Sequence, residues 1–129
     1  MGRKNITVKD VAAVLDHSLL RPDITMRELE KGCALAKEYQ CISVCVRPSE
    51  IPEACKLLEG TGVLVTTVIG FPHGTCTKET KVFEIRDAVA KGAVEVDMVM
   101  NIGRFLSKEY DYVEDEIAEA AKAAHEGGA

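Results

Sequence analysis

The chain has 129 residues, the length of one ordinary domain, and its 47% hydrophobic content is enough for a packed core. With 29% charged residues and a net charge of −5, its acidic balance argues against nucleic acid or a membrane surface as the main partner. No stretch is long and apolar enough to span a bilayer, and "MGRKNITVKD" has no apolar run behind its basic residues to make a signal peptide.

Gly2 invites a myristoylation reading, but Arg3 and Lys4 follow it directly and weaken that reading. An amphipathic stretch from Val8 to Val14 then leads into "VLDHSLL", the first strand. "TMRELEKGCALAKEY" reads as a helix. Thr25 with Glu28 makes a capping box, and Met26, Leu29, Cys33 and Ala36 form one apolar stripe. "CISVCV", Cys41 to Val46, is a short buried strand. A helix follows from about Ser49 to Glu59, with Pro52 in its first turn and Gly60 as its stop. "VLVTTVI", Val63 to Ile69, is β-branched and makes the third strand. "GFPHGTCT" is a loop, Lys78 to Lys91 a helix closed by Gly92, and "VEVDMVM" the fourth strand. The last helix carries its stripe on Tyr110, Val113, Ile117, Ala120 and Ala124.

This order, a leading helix and four βα units, predicts an α/β chain with parallel strands and right-handed crossovers. No linker or charge block divides it, so residues 1–129 are expected to form a single domain. An open doubly wound sheet and a piece of an eight-fold βα (TIM) barrel both fit the order. Strand alternation favours the barrel. Glu95, Asp97 and Val99 share one face of strand four, opposite Val96, Met98 and Met100. Asp16 and Ser18 oppose Leu15, His17 and Leu19, while Ser43 and Cys45 oppose Ile42, Val44 and Val46. A doubly wound sheet wants both faces apolar; a barrel enclosing a reaction chamber wants one apolar and one polar face. Four units make half a barrel.

Asp16 and Asp97 are expected near the C-terminal ends of strands one and four, the rim where barrel enzymes keep their sites. A buried carboxylate there can shuttle protons; the plain alternative is a salt bridge or a helix cap. "GFPHG", Gly70 to Gly74, is a fixed turn able to approach a ligand, or simply a βα connection. His73 is a weak acid/base candidate. Lys81 and Glu84 are expected as an ion pair on a helix surface. Cys33, Cys41, Cys45, Cys55 and Cys76 show no CxxC spacing and read as reduced cytosolic thiols, with Cys45 either a rim nucleophile or a structural thiol. Cys41 and Cys45 are expected to face the same way. His17, His73 and His125 lie in unrelated segments, so no zinc site is expected.

"LDHSLLRPD", "CISVCVRPSEIPEA", "TVIGFPHG", the Lys81 and Glu84 pair and "KGAVEVDMVMNIG" together resemble the deoxyribose-phosphate aldolase family, in order and over nearly the whole chain. Ser18 stands where that family usually has threonine, and Arg21 where it has lysine. The resemblance implies a class I aldolase on an eight-fold βα barrel. Such an enzyme reversibly cleaves 2-deoxyribose 5-phosphate to glyceraldehyde 3-phosphate and acetaldehyde, with no metal or cofactor. Asp97 matches the aspartate of the proton relay at the lysine imine. Asp16, Ser18 and Cys45 match residues lining the pocket. Glu95, one layer deeper, is expected as a partner for an interior cation.

The family is roughly twice as long, and its Schiff-base lysine and phosphate loops fall beyond residue 129. The resemblance therefore implies the amino-terminal half, ending before the fifth strand and inactive alone. Two other roles stay open: a self-associating half-barrel module, and an open α/β domain binding a small phosphorylated ligand. Exposed edge strands predict a homo-oligomer, most simply a dimer. The expected location is cytoplasmic.

Overall fold

In the computed structural model, which describes residues 5–129, the opening stretch forms a short helix, α1 (Val8–Ala12). The Gly2, Arg3 and Lys4 context weighed for lipidation lies outside the described residues. Thr7 caps α1 by accepting from the Asp10 amide, while Asp10 takes the Thr7 amide in return. The helix ends before Val14. Val8, Val11 and Val14 are all exposed, so no packing extends it.

Four short strands follow: β1 (Asp16–Leu19), β2 (Ser43–Val46), β3 (Leu64–Ile69) and β4 (Glu95–Met98). They form one parallel sheet in the order β1-β2-β3-β4. The crossovers are α2 (Met26–Tyr39), a 3-10 turn (Pro48–Glu50) running into α3 (Ile51–Leu58), and α4 (Lys78–Ala90). After β4 come α5 (Ile102–Leu106) and α6 (Tyr110–Gly127). The capping box of α2 is present: Thr25 Oγ1 accepts from the Glu28 amide and Glu28 accepts from the Thr25 amide at 2.8 Å. Pro52 lies in the first turn of α3, where its missing N–H costs no helical bond.

The core sits on one face of the sheet. Leu19, Val44, Val46, Val65 and Ile69 pack with Leu29, Cys33, Ile51, Leu58 and Ile85 from the helices. Each such side chain contributes about 1.5–3 kcal/mol when fully buried. Ser43, Cys45 and Thr66, on the other face, are buried but stand outside this cluster. The sheet is thus one-sided, with its helices against the apolar face. Four parallel βα units built this way are half of an eight-fold barrel. Among the described residues, no helix is long and apolar enough to cross a membrane.

Several sequence expectations shift. Ile102–Leu106 is a helix that the strand-to-helix reading passed over; it is short, and Asn101 caps it by accepting from the Arg104 amide. On α6, Val113, Ala120 and Ala124 are buried, but Tyr110 and Ile117 are half exposed. Ile117 points instead into an apolar groove beside β4, lined by Val96, Met98 and Ala121. Met26 is likewise half exposed, at the start of α2. Cys41 does not share the face of Cys45. It lies before β2 begins, where its amide still bonds Ala36 O, and it packs into the helix-side core.

Candidate functional site

The concave face collects the polar side chains. Strand pairing aligns Asp16 with Ser43, Ser18 with Cys45, Cys45 with Thr66, Thr66 with Glu95 and Val68 with Asp97. Asp16 is the first residue of β1, so it lies at the start of that strand and not near its C-terminal end as expected. There it accepts from Ser43 Oγ at 2.6 Å and from Thr66 Oγ1 at 3.2 Å. These bonds satisfy two hydroxyls that no helix covers and hold the carboxylate in one orientation. Thr66 escaped the sequence reading, although its place in an alternating strand, one residue after Val65, was a usable signal.

Asp97 pairs in a different row, yet strand tilt brings it across the face. The side-chain heteroatoms of Asp16, Cys45 and Asp97 lie within 4.8 Å of one another. Asp97 is exposed on the open face, not buried as expected; what desolvation it meets there, and secondarily the Asp16 charge, push its carboxyl above its ordinary value. Burial pushes the Cys45 thiol up to about 11, with nearby Asp16, Asp97 and Glu95 adding to the rise and Thr66 opposing it. Cys45 therefore keeps its proton near neutrality, which favours a structural thiol over a nucleophile or metal-binding thiolate.

Ser18 shares this face beside Cys45, exposed and without a side-chain hydrogen bond among the described residues. Glu95 is also exposed and has no ion pair among the described residues, so the expected interior cation is not in this set. His73 is exposed on its turn and joins no cluster among the described residues.

Lys81 and Glu84 do not form a surface ion pair. Lys81 is fully buried and its Nζ donates to Glu116 Oε1 at 2.7 Å, Gly74 O at 2.9 Å and Val99 O at 2.9 Å. Glu84 instead accepts from the Gly70 amide at 2.8 Å. The three-residue spacing on α4 suggested that Lys81 and Glu84 share an exposed side. It could not show that α6 would close over that side with a buried glutamate. Gly74 has a positive φ of 68°, and a Cβ there would meet Met100 O at 2.1 Å. The "GFPHG" turn thus packs its backbone against the end of β4.

A family model described as DeoC/LacD family aldolase matches residues 10–128. The chain belongs to the DeoC/LacD aldolase family. It is 52% identical over 120 residues to a deoxyribose-phosphate aldolase of Malacoplasma penetrans, covering 93% of this chain and 54% of that protein. It also resembles a solved chain from Coccidioides immitis, described as a candidate deoxyribose-phosphate aldolase. There the TM-score is 0.90 at 40% identity, over 93% of this chain and 47% of that one. With the deoxyribose phosphate aldolase from Aeropyrum pernix, described as having a unique tetrameric structure, the TM-score is 0.86 at 28% identity, over 95% and 51%. This DeoC/LacD chain spans about half the length of the curated relatives it matches.

The raised Asp97 has a linkage consequence. Its folded state binds a proton more tightly than its unfolded state, so the ionised form costs stability above the folded pKa. That cost is relieved as pH falls from the folded value toward the unfolded value near ~3.9. Asp97→Asn in this DeoC/LacD half-barrel is therefore expected to raise Tm slightly at pH 7. The gain should vanish in scans near pH 4. A gain that instead grows on acidification would contradict the raised Asp97.

Proposed function

We propose that this chain is the amino-terminal half of a class I aldolase cleaving 2-deoxyribose 5-phosphate reversibly to glyceraldehyde 3-phosphate and acetaldehyde. On this reading residues 1–129 are a single (βα)4 domain ending before the fifth strand. The observation that carries it is the convergence of Asp16, Cys45 and Asp97 on the concave face. Asp97 is the proton carrier at the imine carbon, its carboxyl shifted toward the working range of a general acid/base. Asp16, held by Ser43 and Thr66, lines the pocket with Ser18 and Cys45. The imine-forming amine and the phosphate loops come from outside this chain. The imine is the electron sink, so the scheme uses neither metal nor cofactor. The small phosphorylated sugar is the substrate of the completed enzyme, working in the cytoplasm.

Mixing the chain with a polypeptide spanning the remaining length of the Malacoplasma penetrans relative tests this. Cleavage is expected to appear only in the mixture, and Asp97→Asn should lower it by roughly a hundredfold or more. Turnover in the mixture that ignores Asp97→Asn would overturn the reading.

Self-association is favoured by the two sheet edges. β1 and β4 each leave one side unpaired, and each adjoins an apolar groove. The groove beside β4 is about 630 Å³. The one beside β1, about 510 Å³, is lined by Val8, Val11, Leu15 and Tyr39. Two copies pairing β4 with β1 twice would cover both edges. Asp16, Glu95 and Asp97 of both copies would then share one chamber, so added salt should tighten the dimer by screening them. Sedimentation equilibrium is expected to show a dimer that dissociates on dilution; a folded monomer at every concentration would rule it out.

A further inference from the structure

Four backbone segments meet at the buried Lys81–Glu116 pair. Lys81 leaves α4 and Glu116 leaves α6, and both side chains are about 1% exposed. Lys81 Nζ holds the carbonyls of Gly74, at the end of the "GFPHG" turn, and of Val99, two residues after Asp97. Glu116 uses both oxygens: Oε1 takes Lys81, and Oε2 accepts from the Asn101 amide at 2.9 Å. The turn is held at its other end by Glu84 on the Gly70 amide. The Val99 amide bonds Ile69 O at 2.9 Å, so the end of β4 is tied to β3 as well. A dry ion pair is a poor source of stability compared with apolar side chains of the same size. Its hydrogen bonds, however, are directional, and those that leave the pair end on backbone that follows Asp97 or closes the turn.

We propose that Lys81 and Glu116 are a positioning pair, which holds residues 99–101 and the Gly70–Gly74 turn so that Asp97 stands beside Asp16 and Cys45. This rests on the reading of Asp97 as a site residue. The pair acts from the helix side of the sheet and touches no reacting atom.

The double variant Lys81→Met/Glu116→Leu separates this role from a structural one. Apolar side chains of similar size keep the space filled and leave no charge stranded, so the chain is expected to stay folded with a Tm above that of either single variant. The Gly74 and Val99 carbonyls and the Asn101 amide lose their partners, and the Asn101 amide should exchange at least roughly tenfold faster. The deciding readout is the Asp97 titration, followed by carboxyl carbon NMR in the folded chain. The groups facing Asp97 are Asp16 and Cys45. As the end of β4 moves off them, the Asp97 midpoint should fall toward that of an ordinary carboxylate. Glu116→Gln, which keeps the Lys81 contact but not the Asn101 one, should give a smaller shift in the same direction. An unchanged Asp97 titration in either folded variant overturns the proposal and makes the pair merely structural. Loss of Asp97-dependent cleavage in the two-part mixture is a separate measurement and bears on the catalytic reading alone.

Discussion

Incubated with acetaldehyde and borohydride, the chain alone is expected to gain no single stoichiometric adduct and to show no aldolase turnover. The reason lies in where its amines stand. Among the described residues, Lys9, Lys31, Lys37, Lys91, Lys108 and Lys122 are exposed, as is Lys56. These amines stand on helices or the turns beside them, not on the strands whose concave face carries Asp97. Lys78 pairs with Asp115 on the surface, and this contact pushes its amine up, further from a nucleophile. Lys81 alone lies close under the strand ends, but it is closed to solvent and all three of its N–H groups have acceptors. No amine among the described residues therefore stands free on the strand face that carries Asp97. Mass spectrometry after reduction at low aldehyde gives the check. One adduct per chain, formed at a rate that Asp97→Asn abolishes, would show that an amine does reach the site.

Lys81→Met should lower stability by about 3–5 kcal/mol, the scale for removing one partner of a buried ion pair. Glu116 would be left as a carboxylate about 1% exposed, with no cation beside it and only the Asn101 amide as donor. Glu116→Leu should cost as much, since it strands the ammonium instead. A loss of this size is a large fraction of what a domain of this length has in total. Either single variant should then unfold at a markedly lower urea concentration than the parent. Urea titration of each, and of the double variant, reads the effect. Single-variant losses below about 1 kcal/mol would mean that water reaches the pair once one partner is gone.

The two predictions depend on the same residue, and the sequence misled about it. Lys81 and Glu84 are one helical turn apart, the spacing of a surface ion pair, and nothing local contradicted that. Glu116 is 35 positions further along the chain. Its burial follows from α6 packing onto α4, a long-range event that no window of α4 contains. Asp16 shows the same limit. Its face was legible from alternation along β1, but its depth was not. Depth depends on where pairing with β2 starts, and that pairing starts at Asp16 itself, opposite Ser43. Cys41 was assigned to the face of Cys45 by counting in twos, a rule that fails once the residue lies outside the strand.

By itself the sequence determined the order of the four strands and of the helices between them, the capping box of Thr25 with Glu28, and the division of three strands into an apolar and a polar side. These follow from local geometry: a period of two in strands, near 3.6 in helices, and side chains that bond their own backbone three residues away. That was enough to choose a half-barrel, because only a one-sided sheet tolerates Asp16, Ser43, Glu95 and Asp97 on a common face. Only the tertiary structure decided which of these polar groups meet. Asp16 and Asp97 belong to strands at opposite edges of the sheet, and their approach depends on strand tilt accumulated over all four strands. Lys81 and Glu116 depend on the docking of two helices. Distances between elements are set by packing summed over the whole core, so a contact between distant side chains is a property of the folded chain and not of any segment within it.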